Sequence, residues 1–381
     1  SQTLLTLRET PFNKIRMCVF PKSMVYNDNN PTHYPYFKNE AGQWDLKSPD
    51  PVFWENMDTR IRDLMELGIE ADLILFHPYD RWGFALLNRE ESHTYLEYCI
   101  ARLCAYRNVW WSLANEYEML YEKTSEDWDS YGEMLQKLDP YHHPVSIHNF
   151  IALYPKRDWM THCSVQSGEI HKVRRWKKEY GIPVIIDECG YEGNIEYNWG
   201  NLSAFEMVHR FWWAIALGGY CTHGETFHRE DEVLWWAKGG VLYGESVERI
   251  AFLKELLYGL PGQWEAVEPA LGNPNLDVTD EEAVKNEKNF LELMASQPEY
   301  TMDYFLTFHS MRLKGEGCLL QYFGRSCPGH AEFGLEKDRI YRVEVIDIWE
   351  MTRTVVAQNV SGKIRIELPG KEGVAVLIQA M

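Results

Sequence analysis

The sequence predicts an α/β fold, a (β/α)8 TIM barrel, followed by a small all-β sandwich domain. From residue 12 to about 258, short apolar runs alternate with amphipathic stretches, which is the pattern of repeated βα units around a parallel sheet. From about residue 301 the apolar residues alternate with a period of two, which is typical of strands. The chain has 381 residues, enough for a barrel of about 250 residues and a companion domain.

Seven apolar runs predict barrel strands, and five stretches with 3.6-residue spacing predict the helices between them. The strand runs are residues 14–20, 71–77, 108–114, 144–150, 162–168, 182–188 and 219–225; the helical stretches are 51–67, 91–106, 126–138, 170–180 and 203–217. Seven strands do not close an eight-stranded barrel. Because residues 1–10 resemble the end of a helix, we expect the first strand upstream of Ser1 and an N-terminally truncated barrel. The alternative is an open, doubly wound sheet.

The composition changes after residue 262, which predicts three regions along the chain. We expect a catalytic barrel at residues 1–262, a connector at 263–300 with one helical stretch at 286–295, and a β-sandwich domain at 301–381. The predicted strands of the last region are YFLTF (304–308), CLLQYF (318–323), RIYRVEVIDIW (339–349), TRTVV (352–356), KIRIEL (363–368) and VAVLIQA (374–380).

Composition limits the classes of partner. The chain carries 38 basic and 57 acidic residues, a formal net charge of −19, which repels phosphate backbones and anionic membranes. No nucleic-acid or membrane partner is therefore expected. The 15 Trp, 22 Tyr and 16 Phe residues favour a carbohydrate substrate, since sugar rings stack on aromatic faces.

The cysteines and the N-terminus predict a cytoplasmic setting. The eight cysteines form no C-x-x-C pair, and residues 1–20 lack the pattern of a signal peptide. A secreted or periplasmic location would require a signal removed upstream. Neither a cofactor nor a metal is predicted, because no H-E-x-x-H or other compact ligand spacing occurs. A homo-oligomer is compatible with the sequence.

Two carboxylates stand at the carboxyl ends of predicted strands. Glu116 follows the run WWSLAN, and Glu188 ends the run PVIIDE. Chemistry in a barrel takes place at this end, and cleavage of a glycosidic bond needs two carboxyl groups. Glu116 lies beyond Trp110 and Trp111, where desolvation would raise its pKa and favour the acid role. Arg16 is the predicted cation that keeps Glu188 ionised as the nucleophile.

These residues belong to motifs that resemble the clan-A (β/α)8 retaining glycoside hydrolases. The nearest resemblance is to the cellulase-like and apiosidase-like branch found with plant cell-wall degraders. The motifs are FNKIRMCVFP (12–21), HPYDRWGF (77–84), WWSLANEYEM (110–119), SIHNF (146–150) and IIDECGYEGN (185–194). The segment VEVIDIWEMT (343–352) is similar to the small domain that follows such barrels.

The resemblance implies a role for each matching residue. Glu116 would be the acid/base and Glu188 the nucleophile of a double displacement on plant-derived glycans, with carboxyl groups about 5 to 5.5 Å apart. Asn115 would bond the 2-hydroxyl of the substrate. Arg16 and His77 match the arginine of strand two and the histidine after strand three.

The sequence departs from the family pattern at strands six and eight. Where the family often has Tyr or His to support the nucleophile, Gln166 or His171 must serve here. Where it often has Trp on strand eight, THGETF places His223 and Glu225 at the mouth of the barrel. Glu225 would either accept a sugar hydroxyl or add an electrostatic contribution, and the sequence does not decide between these.

Further substrate-binding candidates have structural alternatives. Asp80 and Trp82 follow the run 71–77, the third strand of the complete barrel, where an Asp80–Arg81 ion pair could instead brace the loop. His148 lies near the end of the run 144–150, the fifth strand of the complete barrel, and is a binding candidate as well. Glu192 is the competitor of Glu188 for the nucleophile's place.

Two aromatic residues and two functional alternatives also stay open. Trp235 and Trp236 form either a stacking wall or a cover over the barrel. A non-catalytic carbohydrate-binding barrel and a metal-dependent hydrolase are the alternative functions. The two glutamates at the ends of predicted strands favour a glycosidase over both alternatives.

Overall fold

The computed structural model describes residues 1–230, 234–268, 271, 278–309 and 311–381. The chain forms two compact units. The first contains Ser1–Gly168, Tyr180–Ala204 and Thr222–Glu248, and the second contains Glu169–Glu179, Phe205–Cys221 and Arg249–Met381. The predicted boundaries at residues 262 and 300 stay a prediction.

The first unit is built on parallel strands. Its strands are β1 Lys14–Cys18, β2 Tyr36–Lys38, β3 Trp44–Pro49, β4 Glu70–Phe76, β5 Val109–Ala114, β6 Val145–Ser146, β7 Cys163–Gln166, β8 Val184–Glu188 and β9 Glu192–Gly193, while β10 Tyr220–Cys221 falls in the second unit and β11 Glu225–Thr226 in the first. The order β1-β4-β5-β6 is parallel throughout. A parallel bridge between His148 and Ser164 continues it to β7, which pairs with β8. Their carboxyl ends therefore meet at one end of the unit.

Several of the helices begin after a residue whose side chain caps them. The helices are α1 Gln2–Arg8, α2 Pro51–Glu66, α3 Arg89–Leu103, α4 Ser125–Leu138, α5 Val173–Tyr180, α6 Ala204–Ala216, α7 Trp235–Lys238, α8 Ser246–Tyr258, α9 Glu281–Ala295 and α10 Glu299–His309. Asn88 with Glu91 and Thr124 with Asp127 form capping boxes before α3 and α4, which satisfy backbone N–H groups that the first helical turn leaves unpaired. Within the described residues, no helix is long and apolar enough to cross a membrane.

The predicted barrel elements are confirmed. Each of the seven strand runs contains a strand, and each of the five helical stretches contains a helix. The prediction succeeds because β4 and β5 are almost wholly buried, as continuous apolar strands of a parallel sheet are. The antiparallel hairpin of β2 and β3 was not predicted. Its residues are mostly polar or half-buried, so they do not form an apolar run.

The second unit contains the predicted all-β sandwich. Its strands are β12 Glu265–Ala266, β13 Arg312–Gly315, β14 Cys318–Tyr322, β15 His330–Gly334, β16 Tyr341–Asp347, β17 Thr352–Val360, β18 Lys363–Glu367 and β19 Val374–Ala380. One antiparallel sheet has the order β12-β13-β14-β19-β16-β17, and β15 pairs with β18. Side chains from both sheets form one apolar core that includes Phe333, Val343, Ile366 and Val376.

One predicted strand is wrong. YFLTF (304–308) lies in helix α10, although its aromatic and β-branched residues favour a strand. Helical spacing wins because Tyr300 and Tyr304, four residues apart, both contact the ring of His171, at 5.0 and 5.7 Å between centroids. The helical stretch predicted in the connector is confirmed as α9, which begins earlier, at Glu281. Residues 269–270 and 272–277 of the connector lie outside the described residues.

Candidate active site

A buried ion network occupies the interior of the first unit below the candidate site. Lys14 and Arg16 are two residues apart on β1, so their side chains lie on the same face of the strand. The Lys14 ammonium contacts Asp72 at 2.8 Å and Asp187 at 2.6 Å, and Ser164 donates to Asp187 at 2.5 Å. Lys14 and Arg16 outweigh burial and hold the pKa of Asp187 well below its usual range. Lys14, Asp72 and Asp187 were not predicted from the sequence as members of a network.

An irregularity in β8 places Asp187 and Glu188 in the same interior. Val165 pairs with Ile186, but the next residue of β7, Gln166, pairs with Glu188, so Asp187 is an extra residue in the ladder. Neighbouring residues of a regular strand face opposite sides. A bulge removes this alternation and re-aims side chains. Both carboxylates can therefore meet the two cations of β1.

Arg16 forms hydrogen bonds with residues on both sides of the candidate site. Its guanidinium donates to Glu188 Oε1 at 3.1 Å and to Asn115 Oδ1 at 3.2 Å. Since Asn115 precedes Glu116, this pair of bonds holds β5 and β8 together at their carboxyl ends. Arg16, Asn115, Glu116 and Glu188, all predicted as site residues, are thus brought together.

Glu188 is kept ionised. Burial alone would raise its pKa, yet the pKa lies below its ordinary value because of His148, Arg16 and a hydrogen bond from Tyr191. Burial lowers the pKa of His148 to about 3, so the imidazole is neutral near pH 7. At neutral pH the Glu188 carboxylate is therefore stabilised by Arg16, a cation that bonds it directly, and not by a charged imidazole. His148 lies with Nε2 3.8 Å from Glu188 Oε1.

The phenol that bonds Glu188 belongs to Tyr191, a residue that was not predicted from the sequence. Tyr191 donates its hydroxyl to Glu188 Oε2 at 2.6 Å. Its ring occupies the space where a side chain on Gly224 would lie, so a glycine is required there. The expected supports do something else, because Gln166 bonds Glu116 and His171 packs among the tyrosines of α10. The only signal was the closeness of Tyr191 to Glu188 in the motif ECGY.

Glu116 has the opposite electrostatic environment. Its pKa is raised by burial and by the charge of Glu188, while hydrogen bonds from Tyr79 and Gln166 act in the other direction. Tyr79 donates to Glu116 Oε2 and was not predicted as a site residue. Glu116 also has a left-handed backbone, with φ 49° and ψ 58°, which is uncommon for any residue other than glycine. The raised pKa fits the predicted acid.

Lys22 and Trp236 border the two carboxyl groups. The Lys22 ammonium lies 4.8 Å from the ring centroid of Tyr79 and 4.3 Å from that of Trp236, and its charge lowers the pKa of both glutamates. The Trp236 ring is also 6.2 Å from that of Tyr191. Trp236 therefore borders the site, and its stacking against a sugar stays a prediction.

His77, Asp80 and Trp82 stabilise the loop after β4. His77 Nε2 is 3.1 Å from the Phe20 carbonyl, and burial lowers its pKa to about 4. The Asp80 carboxylate accepts the N–H groups of Trp82 and Ala85, at 2.7 and 2.6 Å. These contacts shape the loop that carries Tyr79, and substrate binding by all three residues stays a prediction.

His223 and Glu225 form a second buried cluster with Glu192. Among the described residues, these three could offer ligand atoms to a metal ion, all within 4.8 Å of one another. The glutamate oxygens already accept backbone N–H groups of residues 243–246 and the hydroxyl of Ser246. Burial raises the pKa of Glu225 to about 7. These contacts anchor Glu192, so it does not take the position of Glu188 beside Arg16.

The family of the chain follows from its sequence. A model of the apiosidase-like catalytic domain matches residues 2–264, which is more than half of the chain. The chain belongs to the apiosidase-like family. A second model, described as a domain of unknown function (DUF5605), matches residues 307–379 of this apiosidase-like chain. No curated protein matches it.

Two solved structures that are similar to the apiosidase-like chain are described as glycoside hydrolases. A putative glycoside hydrolase from Bacteroides vulgatus is 30% identical, with a TM-score of 0.81 over 100% of this chain and 75% of that one. A family 5 glycoside hydrolase from the same organism is 14% identical, with a TM-score of 0.68 over 99% and 84% of the two chains. The second likeness supports the TIM-barrel fold alone.

The comparisons confirm the predicted fold, the predicted enzyme class and the predicted class of substrate. The apiosidase-like chain is a TIM-barrel glycosidase with a C-terminal β-sandwich domain, and its substrate is a carbohydrate. The structure locates the two predicted glutamates at one site with opposite pKa shifts.

Proposed function

We propose that the chain is a retaining glycosidase that acts on plant-derived glycans by double displacement. Glu188 is the nucleophile and Glu116 the acid/base. The observation that carries the proposal is the divergence of the two carboxyl groups, since the pKa of Glu188 is lowered and that of Glu116 is raised. Pairs of titratable groups with divergent pKa values mark acid and base assignments.

In the first step, the Glu188 carboxylate attacks the anomeric carbon while Glu116 gives its proton to the leaving oxygen. The bond from the anomeric carbon to that oxygen breaks, and a glycosyl ester of Glu188 forms. In the second step Glu116, now ionised, takes a proton from water, whose oxygen displaces Glu188 with retention of configuration. Arg16 and Tyr191 stabilise Glu188 when it leaves as a carboxylate.

The retaining geometry is proposed from the resemblance to the retaining clan-A enzymes, and two features bring the carboxyl groups to one site as that geometry requires. An inverting enzyme needs room for a water molecule and separates its carboxyl groups by about 6.5 to 9.5 Å. Here Arg16 bonds both Glu188 and Asn115, the neighbour of Glu116, and the charge of Glu188 raises the pKa of Glu116. The plant-derived substrate class rests on the apiosidase-like family and on the sequence resemblance to plant cell-wall degraders.

The test is a panel of aryl glycosides, apiosides included, with the product configuration followed by NMR. We expect retention for the hydrolysed substrate. Glu116→Gln should lower kcat/KM by about 10²–10⁴-fold for substrates whose leaving group needs a proton, and less for an activated aryl group. Glu188→Gln should abolish turnover and keep substrate affinity.

Azide distinguishes the two roles. Added to Glu116→Ala, azide should give a glycosyl azide of retained configuration, and added to Glu188→Gly it should give the inverted one. Glu97→Gln, on the exposed face of α3, is the control and should match the unmodified chain. Inverted products from the unmodified chain would contradict double displacement, and full turnover by Glu188→Gln would contradict the assigned nucleophile.

A further inference from the structure

A cleft of about 540 Å³ opens between the loops that follow β4 and β5. Ligand sites in proteins have volumes of about 300–1,000 Å³. The cleft is lined by residues of two segments, 78–86 and 119–122. Nothing in the proposed chemistry at Glu116 and Glu188 uses this space.

The cleft is continuous with the loops that hold Glu116. Pro78 lines the cleft and directly precedes Tyr79, which donates to Glu116. Glu116 is the first residue of a short 3-10 turn, Tyr117–Met119, and Met119 lines the opposite side of the cleft. Both walls therefore begin at groups that contact or carry the proposed acid.

This position determines which part of a substrate would enter. A general acid lies within hydrogen-bonding distance of the leaving oxygen, because it must transfer a proton to that atom. The leaving group therefore extends on the Glu116 side of the cleaved bond. A cleft that starts at the two loops around Glu116 lies on that side.

The lining suits a sugar. Trp82 offers an indole ring with the Arg81 guanidinium 5.1 Å from its centroid, and Tyr121 is 81% exposed. Aromatic faces bind the apolar faces of sugar rings, while Arg81 and Glu122 can bond hydroxyl groups. Asp80 fixes the backbone around Trp82 through two N–H bonds, so the cleft is formed before any ligand binds.

We propose that this cleft is a leaving-group subsite, which binds the glycosyl unit released when the bond is cleaved. The proposal rests on the proposed function, since it uses Glu116 as the acid. It assigns the chain to substrates in which the cleaved sugar is attached to a further sugar. Trp82 and Tyr121 are the specificity-determining residues for that sugar.

The experiment compares two substrates with the same cleaved sugar, the one identified by the aryl-glycoside panel. One is the glycosyl fluoride, whose leaving group is too small to fill the cleft, and the other is a disaccharide. In Trp82→Ala and Tyr121→Ala, the ratio of kcat/KM for the disaccharide to that for the fluoride should fall by about tenfold. Tyr141→Ala is the matched control, because Tyr141 is 65% exposed and precedes β6 at the opposite ends of the strands.

The outcomes separate the two proposals. An unchanged ratio in both cleft variants, with the fluoride still hydrolysed, overturns the subsite and leaves the proposed function intact. No hydrolysis of either substrate by the unmodified chain overturns the proposed function. Hydrolysis of the fluoride reports that each variant is folded, so a lower ratio cannot arise from unfolding.

Discussion

Each of the two carboxyl groups accepts a hydrogen bond from a tyrosine. Tyr79 donates to Glu116 and Tyr191 donates to Glu188. A hydrogen bond to a carboxylate favours its charged form and lowers its pKa. The two phenols therefore help to set the pH range in which Glu188 is ionised while Glu116 is protonated.

The Tyr79→Phe and Tyr191→Phe variants should shift opposite limbs of the pH profile of kcat/KM. Without Tyr79 the pKa of Glu116 rises, so the basic limb moves to higher pH. Without Tyr191 the pKa of Glu188 rises, so the acidic limb moves to higher pH. Each shift should be about one to two pH units, since a hydrogen bond to a charged group contributes about 1.5–3 kcal/mol and one pKa unit is about 1.4 kcal/mol.

Each variant is the control for the other. Tyr79→Phe should leave the acidic limb in place, and Tyr191→Phe should leave the basic limb in place. A parallel movement of both limbs in either variant would contradict the separate assignments. The profile of the free enzyme is the correct measurement, because kcat/KM reports the pKa values before substrate binds.

Strand position predicted Arg16, Asn115, Glu116 and Glu188, but it could not predict the phenols. The four residues lie in or directly after strands, where apolar periodicity determines the direction of the chain. Tyr79 and Tyr191 lie in loops, whose path depends on tertiary contacts such as the packing of Tyr191 over Gly224. Composition gives no signal for such contacts.

At the level of the elements, the bulge in β8 is the feature that regular periodicity could not predict. A strand of period two would direct Asp187 away from the side chain of Glu188. The extra residue opposite Val165 and Gln166 lets both acids face β1. The ion network with Lys14 is therefore a consequence of one irregular residue pair.

Helix α4 has a tight contact that yields a prediction. Gly132 lies in this helix, and a Cβ atom there would overlap the ring of Trp159, which is buried. An alanine normally stabilises a helix interior by about 1 kcal/mol relative to glycine. In Gly132→Ala the overlap should dominate and lower the free energy of unfolding by about 1–3 kcal/mol.

Urea unfolding measures this difference. Gln136→Ala, at an exposed position of the same helix, is the control and should change the free energy of unfolding by less than about 0.5 kcal/mol. A Gly132→Ala variant as stable as the unmodified chain would mean that Trp159 can move aside without loss of packing.

For the whole molecule, the interior ion network predicts how stability depends on pH. The pKa of Asp187 lies far below its ordinary value of 3.8 in the folded chain. A carboxyl group with a depressed folded pKa stabilises the fold above its unfolded pKa, and this stabilisation is lost as pH falls. The midpoint of thermal unfolding should therefore fall steeply below about pH 4.

The Asp187→Asn variant isolates this contribution. It should lower the free energy of unfolding near pH 7 by about 3–5 kcal/mol, because Lys14 loses a buried partner. Below about pH 4 its thermal midpoint should then fall less steeply than that of the unmodified chain, as about one carboxyl group fewer titrates. Asp338→Asn, at an exposed position, should retain the original slope. Equal slopes for Asp187→Asn and the unmodified chain would remove Asp187 as the cause.

The backbone of Glu116 has a consequence for engineering. A left-handed conformation costs an L-residue about 1–2 kcal/mol, and glycine adopts it without that cost. A library of variants sorted for heat tolerance alone would thus enrich glycine at position 116 and discard the acid on which turnover depends. Directed evolution of this enzyme should score product formation in every round, since thermal stability favours glycine at position 116 while the proposed catalysis needs glutamate.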